Sequence, residues 1–273
     1  MSPAKKIKRN PYAKQIARKL EKLVDIMHTL RSEEGCPWDR AQSLRDLRQY
    51  VLEETYEVLQ AMDQSNLPSL KEELGDLMFQ VVFLSQMMQE QNAFTLLEVL
   101  DAVTEKMISR HPHVFGKSQA KSPEQALQNW ESMKDQQKAL KQGSDRSILE
   151  GIPLHLPALL QALMISAKVV RVGFEWETEE DVWKKLEEEF REFQEAQTEE
   201  HRAEEFGDIL FTMVNIARKQ KINPEDALRT ANEKFRERFG KLEKRVYAQN
   251  KQLSDLTLAE MDAIWEEIKK EER

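Results

Sequence analysis

The chain has 273 residues and a mass of 32.0 kDa, with 41 Lys and Arg against 49 Asp and Glu and a formal net charge of −8. Forty per cent of it is apolar and a third is charged, which excludes a disordered polymer and fits one large or two small globular domains. The acidic balance argues against broad nucleic-acid binding, and with only 8 Gly and 9 Pro, about half the usual ~12%, turn-rich β architectures are disfavoured.

A basic start (Lys5, Lys6, Lys8, Arg9) is followed by no apolar h-region, so it does not read as a secretory signal. No apolar run reaches the ~18 residues of a membrane span, and a cytoplasmic protein without a membrane partner is expected. Cys36 is the single cysteine, which excludes an intrachain disulfide and a Cys-based zinc site. There is no Gly-rich phosphate loop.

In chain order, residues 1–19 read as a tail and 20–134 as a first domain. Glu53, Glu54 and Glu57 precede an evident turn, Asp63 to Pro68. Ser69 to Glu72 has the pattern of a capping box, and a helix is expected over 70–87. Leu70, Leu74, Leu77, Val81 and Leu84 give that helix an apolar stripe, and Met78, Phe79, Val82 and Phe83 cover much of the rest. It is therefore expected to be largely buried, with Glu73, Asp76 and Gln80 as a narrow polar strip. Further boxes are expected at Thr95–Glu98, Ser122–Gln125 and Thr257–Glu260, and Pro123 and Pro224 sit where first helical residues belong. The Gly- and Pro-bearing stretch 135–158 reads as a linker, and 159–273 as a second domain. No period-2 strand stands out, so the fold class is all-α.

The two halves repeat each other. Gly35 to Asp39 is matched by Gly173 to Glu177, and Glu53-Glu54-x-x-Glu57 by Glu188-Glu189-x-x-Glu192. Glu73-Leu-Gly-Asp76 is matched by Glu205-Phe-Gly-Asp208. Glu105-Lys106-x-x-x-Arg110 is matched by Glu233-Lys234-x-x-x-Arg238, and Trp130-Glu131 by Trp265-Glu266. Helix spacing puts Glu54 with Glu57, and Glu73 with Asp76, on shared faces. A turn between the two helices makes an αα-hairpin on which the four carboxylates face one another. The second half repeats this with Glu189, Glu192, Glu205, Asp208 and the neighbouring Thr212. Carboxylates crowded in this way disfavour their own ionisation, and a bound divalent cation reverses the cost. Oxygen ligands without Cys or His suit Mg²⁺ or Mn²⁺ rather than zinc. A di-iron bundle needs Glu-x-x-His pairs, and no His follows either motif at that spacing.

These residues resemble the MazG family of nucleoside triphosphate pyrophosphohydrolases, whose motif is E-E-x-x-E, a gap, then E-x-x-D. The likeness extends from about residue 20 to the end and includes Cys36 to Asp39, Arg110 to Gly116, Val172 to Trp176 and Asn232 to Arg238. It implies two tandem four-helix modules, a homodimer, a Mg²⁺ requirement, and cleavage of (d)NTP to (d)NMP and pyrophosphate with broad base tolerance, in nucleotide housecleaning. It carries metal binding to Glu189, Glu192, Glu205 and Asp208, and in parallel to Glu54, Glu57, Glu73 and Asp76. Glu188 and Glu53 also match, as ligands or as groups that orient water. Lys234, Arg238 and Trp265 match positions linked to substrate, with Lys106 and Arg110 as their counterparts in the first half. The resemblance favours the second half as the main hydrolytic copy. Two readings stand beside it: a helical interaction protein with acidic faces, and a dedicated relative acting on one nucleotide such as dUTP. His111 and His113 could ligate a metal, although a structural role suits an isolated pair better.

Overall fold

The computed structural model describes residues 7–116, 118–142 and 147–272. The chain divides into two compact units, residues 1–143 and 144–273. Unit 1 contains α1 (Ala13–Arg31), α2 (Pro37–Ala41), α3 (Leu44–Asp63), α4 (Leu67–Glu90), α5 (Leu96–Arg110), α6 (Pro112–Phe115) and α7 (Pro123–Gln142). Unit 2 contains α8 (Ala158–Val170), α9 (Glu179–Glu195), α10 (Glu199–Lys219), α11 (Pro224–Ala248), a 3₁₀ turn (Leu253–Asp255) and α12 (Leu258–Glu271). Among the described residues there is no strand, and no helix is long and apolar enough to cross a membrane.

The repeat seen in the sequence is a repeat of packing. In unit 1, α4 packs on α3 and α1, and α5 on α7; in unit 2, α10 packs on α9 and α8, and α11 on α12. Each core follows from helical periodicity. Met27 of α1, Leu47 of α3, and Val82, Phe83 and Met87 of α4 close the core of unit 1. In unit 2, Val182, Leu186, Ile209 and Val214 are buried, and Leu242, Val246 and Ile268 form a second cluster where α11 meets α12. Burying a side chain of this kind contributes roughly 1.5–3 kcal/mol.

Start and stop signals explain the helix limits. Thr95 with Glu98 and Thr257 with Glu260 form the expected capping boxes, and Ser43 with Asp46 and Thr178 with Asp181 form two more. The Ser69–Glu72 box does not form. Asn66 caps α4 instead, its Oδ1 accepting from the Ser69 N–H at 3.3 Å, because Pro68 suits the first turn and starts the helix earlier. Helix α1 begins at Ala13, inside the stretch expected to be a tail, because apolar periodicity already starts at Ile16 and runs through Leu20 and Leu23 to Met27. Helix α7 continues to Gln142, into the expected linker; Gly143, Ser144 and Asp145 of that linker, like Lys5 and Lys6, lie outside the described residues.

Four helices end on a left-handed residue that is not glycine: Ser65, Asn92, Lys221 and Asn250, with φ between 51° and 58°. In each, the next N–H closes the end by donating back to a carbonyl one turn earlier, as Ile222 does to Ala217 at 2.8 Å. Lys221 has the least to offset the left-handed cost, since its side chain does not hydrogen-bond locally as Asn does. Lys221→Gly is expected to stabilise unit 2 by about 0.5–1 kcal/mol in urea denaturation; a loss of stability would contradict this account of the α10 end.

Polar groups cross each core at corresponding places. In unit 1, the Arg31 guanidinium of α1 grips Glu90 of α4, with Nη2–Oε2 at 2.7 Å, and donates to the Asp39 carbonyl at 2.5 Å. Arg31 holds the Glu90 carboxyl below its ordinary range. His28 lies 3.3 Å from Gln86. In unit 2, the matching positions hold Ser166 and Arg218, with Arg218 Nε donating to Ser166 Oγ at 2.7 Å and Nη2 to Glu175 at 2.5 Å. The Ser166 hydroxyl donates to Asn215 Oδ1 at 2.5 Å, and Asn215 Nδ2 donates to the Phe211 carbonyl at 2.9 Å. Ser166 and Asn215 are fully buried. Asn215 occupies the α10 position that Phe83 occupies on α4.

Candidate metal centre

Each unit places its acids on one helix pair. The α3–α4 and α9–α10 pairs are the most extensive helix contacts of their units. The reversal between α3 and α4 needs only Gln64 to Asn66, with Ser65 left-handed. Between α9 and α10 the chain turns over Ala196 to Thr198, with Ala196 buried and the Thr198 hydroxyl accepting from His201 N–H.

This hairpin geometry brings Glu54 and Glu57 of α3 to Glu73 of α4, and Glu189 and Glu192 of α9 to Glu205 of α10. In each trio, one carboxylate oxygen per residue lies within 4.8 Å of the other two. Asp76 and Asp208 stand outside these trios, exposed one turn farther along their helices. The Asp76 charge still acts on Glu54 and Glu73. Glu53 is exposed, and Glu188 pairs with Lys185 at 2.9 Å.

The two centres differ in depth and charge. In unit 1 Glu54 and Glu73 are half-buried and Glu57 is exposed; in unit 2 Glu189 and Glu205 are buried. Burial and the facing Asp76 and Glu57 push the Glu54 carboxyl above its ordinary value. Burial, Glu57 and Glu72 do the same to Glu73. The expectation that the 70–87 helix is largely buried is not met. Leu74, Met78 and Val81 are 51%, 50% and 40% exposed, because a single hairpin covers only one side of a helix that is apolar nearly all round. Gln80 and Thr212 lie deeper than the acids beside them, both buried. Gln80 stands beside Glu54 and tempers that upward push, and its Oε1 is buried without a partner.

The donor set fits a hard divalent cation: three converging carboxylates without Cys or His in either trio. The raised carboxyls of unit 1 and the orphaned Gln80 oxygen are the marks of a site that a cation with bound water would relieve. His111 and His113 join no such group among the described residues; His111 Nδ1 contacts the Met107 carbonyl at 2.6 Å.

The candidate phosphate-binding groups lie on other helices. Arg238 of α11 pairs with Glu272 at 2.6 Å, and Lys234 is exposed one turn before it. The Trp265 ring of α12 lies 5.1 Å from Phe235 and packs on the α11–α12 cluster. In unit 1, Lys106 is exposed, while Arg110 donates to Gln137 at 3.0 Å and lies 5.4 Å from the Trp130 ring. Arg110 thus reaches Gln137 of α7, Arg238 reaches Glu272 at the C-cap of α12, and Trp265 reaches Phe235 of α11. Sequence reasoning missed Lys185, which stands 2.9 Å from Glu188 and 3.0 Å from Glu189, and His201, whose Nε2 is 2.9 Å from Glu205. The signal was present: each precedes its acid at helical i, i+3 or i, i+4 spacing.

The model of the MazG nucleotide pyrophosphohydrolase domain matches this chain twice, over residues 42–115 and 177–242, and each match spans one acidic hairpin. The chain belongs to the MazG nucleotide pyrophosphohydrolase family. It is 44% identical over 249 residues to the nucleoside triphosphate pyrophosphohydrolase/pyrophosphatase MazG of Thermotoga maritima, a match covering 91% of this chain and 95% of that one. It is 39% identical over 259 residues to the nucleoside triphosphate pyrophosphohydrolase of Escherichia coli strain K12, covering 93% and 98%. Among solved structures, a MazG-related protein from Thermotoga maritima matches at 30% identity with a TM-score of 0.37, covering 42% of this chain and 98% of that one. Both units of this MazG-family chain therefore carry a family hairpin, and both hairpins keep their acids.

Proposed function

We propose that this chain is a divalent-metal-dependent nucleoside triphosphate pyrophosphohydrolase, releasing (d)NMP and pyrophosphate from (d)NTPs, with unit 2 as the principal hydrolytic copy. The convergence of Glu189, Glu192 and Glu205 on the α9–α10 hairpin carries this reading, in a chain 44% identical over 249 residues to a relative of that name. Glu189, Glu192 and Glu205 would hold Mg²⁺ or Mn²⁺, with Asp208 turning in from one turn away. A divalent ion bound there supplies charge neutralisation for the triphosphate and an acidified water for attack at the α-phosphorus. Glu188, next to Glu189 in the motif, would orient that water. Lys234 and Arg238 are a cationic pair for the β- and γ-phosphate oxygens, and Trp265 offers a ring to the nucleoside. Broad base tolerance and clearance of unwanted nucleotides in the cytoplasm complete the proposal.

The test is product analysis. Each NTP and dNTP, incubated with the protein and Mg²⁺ and separated by ion exchange, is expected to yield NMP and pyrophosphate, with no turnover in excess chelator. NDP and phosphate as products would place the cleaved bond elsewhere. Turnover of one nucleotide alone would favour a dedicated relative.

The same reading includes a homodimer. Helix α4 leaves Leu74, Met78 and Val81 uncovered, α10 leaves Phe206, Leu210 and Met213 uncovered, and α5 buries no residue. Gly75 and Gly207 sit mid-helix on these surfaces with open space where a Cβ would stand, although glycine there costs roughly 1 kcal/mol. A second copy packing closely on these faces accounts for both facts. Light scattering after size exclusion is expected to give twice 32.0 kDa, and Met78→Glu with Met213→Glu to halve that mass. A monomeric wild type would remove this part of the reading.

A further inference from the structure

The two acidic trios have the same donors but different surroundings. In unit 2, the Lys185 ammonium bridges Glu188 Oε1 at 2.9 Å and Glu189 Oε1 at 3.0 Å. Glu189 is the deepest acid of the trio, its side chain 7% exposed. In unit 1, the corresponding position, one turn before Glu54, is Tyr50, which packs against the core and meets the Trp38 ring edge-on at 5.8 Å. Among the described residues no ion pair reaches Glu54, Glu57 or Glu73.

We infer that Lys185 is a built-in counter-ion of the second acidic site, occupying Glu188 and Glu189 while the site holds no divalent ion and yielding Glu189 when one binds. This inference rests on the metal reading of the trio proposed above. A buried carboxylate left without a partner is costly, and Lys185 removes that cost in the metal-free protein. An ammonium on Glu189 and a divalent ion in the trio disfavour one another, because two cations would then crowd one carboxylate in a weakly solvated place. Lys185 can leave: its side chain is 35% exposed, on a flexible four-carbon stem that swings toward solvent and toward the more open Glu188. Metal and ammonium thus compete for one carboxylate, and the binding of one weakens the hold of the other. The consequence is a second site that stays ordered without metal and binds it less tightly than its carboxylates alone would. His201 Nε2 stands on the other side of the trio, 2.9 Å from Glu205.

The test is Mn²⁺ binding to the full chain by calorimetry, in a Glu57→Gln, Glu73→Gln background that leaves unit 2 as the site read. Lys185→Met is expected to bind Mn²⁺ at least about fivefold more tightly, the lower range of such couplings, and to melt at a lower temperature in chelator. Lys185→Arg, which keeps the charge, is expected to show no tightening. Unchanged or weaker binding by Lys185→Met overturns the inference, whereas absence of Mn²⁺ binding in the unsubstituted unit 2 overturns the metal reading itself. Should Lys185→Met fail to fold, the parent chain answers directly. With lysines labelled by ¹⁵N, the Lys185 ammonium signal is expected to move to a solvent-exposed position as Mg²⁺ is added. A signal that stays in place at Mg²⁺ saturation is the contrary result.

Discussion

Glu205→Gln is expected to lower pyrophosphate release by more than about a hundredfold, while Glu73→Gln leaves most of it. Even partners that only orient metal ligands are worth 10–100-fold, and the proposed function makes Glu205 a ligand itself. It is the member of the unit 2 trio supplied by α10, buried at 9% exposure. The amide keeps the volume and removes the charge, so the fold has little reason to change. The loss belongs in turnover and in the Mg²⁺ concentration needed for half-activity, rather than in protein yield. Glu73 is its counterpart on α4, in a shallower trio where burial and the neighbouring Glu57 push the Glu73 carboxyl above its ordinary value. If Glu73→Gln is the inactive variant and Glu205→Gln the active one, unit 1 is the principal hydrolytic copy and the assignment of the two units must be exchanged.

Asn215→Ala is expected to cost unit 2 about 2–4 kcal/mol, combining a lost buried hydrogen-bond partner with a small cavity. Asn215 accepts from Ser166 and donates to the Phe211 carbonyl, and Ser166 in turn accepts from Arg218. Removing the amide leaves a fully buried hydroxyl without an acceptor. Because the chain has two units, a single unfolding midpoint would mix them. Hydrogen exchange read by mass spectrometry separates them: α8 and α10 peptides are expected to lose protection, while α1 and α4 peptides hold theirs. A change confined to within about 0.5 kcal/mol, as for ordinary surface sites, would mean that the Ser166–Asn215–Arg218 network contributes little. Since α10 also carries Glu205, the same variant is expected to need more Mg²⁺.

The acidic hairpins were legible because they rest on local rules. Spacing of three or four residues puts Glu54 beside Glu57 and Glu189 beside Glu192 on any helix, and a short polar turn brings the next helix back. Four of the acids that the motif groups with them nonetheless behave differently. Asp76 and Asp208 share a helix face with Glu73 and Glu205, but both are exposed outside the converging trios, and Glu53 and Glu188 also lie to the side. A face is a sector of many degrees, and only packing decides which part of it points inward. Capping shows the same limit. Thr95 and Thr257 cap as expected, yet Ser69 loses to Asn66, since two adequate caps close together are decided by Pro68 and by where α4 meets α3.

Taken alone, the residues determined the all-α class, the internal duplication, the membership of each acid in a hairpin and the hard-cation character of the donors. All of these depend on composition and on contacts within a few positions of the chain. Only the tertiary structure decided that unit 2 buries Glu189 and Glu205 more deeply than unit 1 buries their counterparts, and that Lys185 and His201 occupy them. It also decided that Asn215 stands where Phe83 stands, tied to Ser166 across α8 and α10, and that α4 and α10 each keep an apolar face that their own unit does not cover. The physical reason is the range of the forces involved. Helix formation and same-face pairing are settled within one or two turns, whereas burial, desolvation of a carboxylate and the pairing of distant helices depend on what the rest of the chain brings alongside.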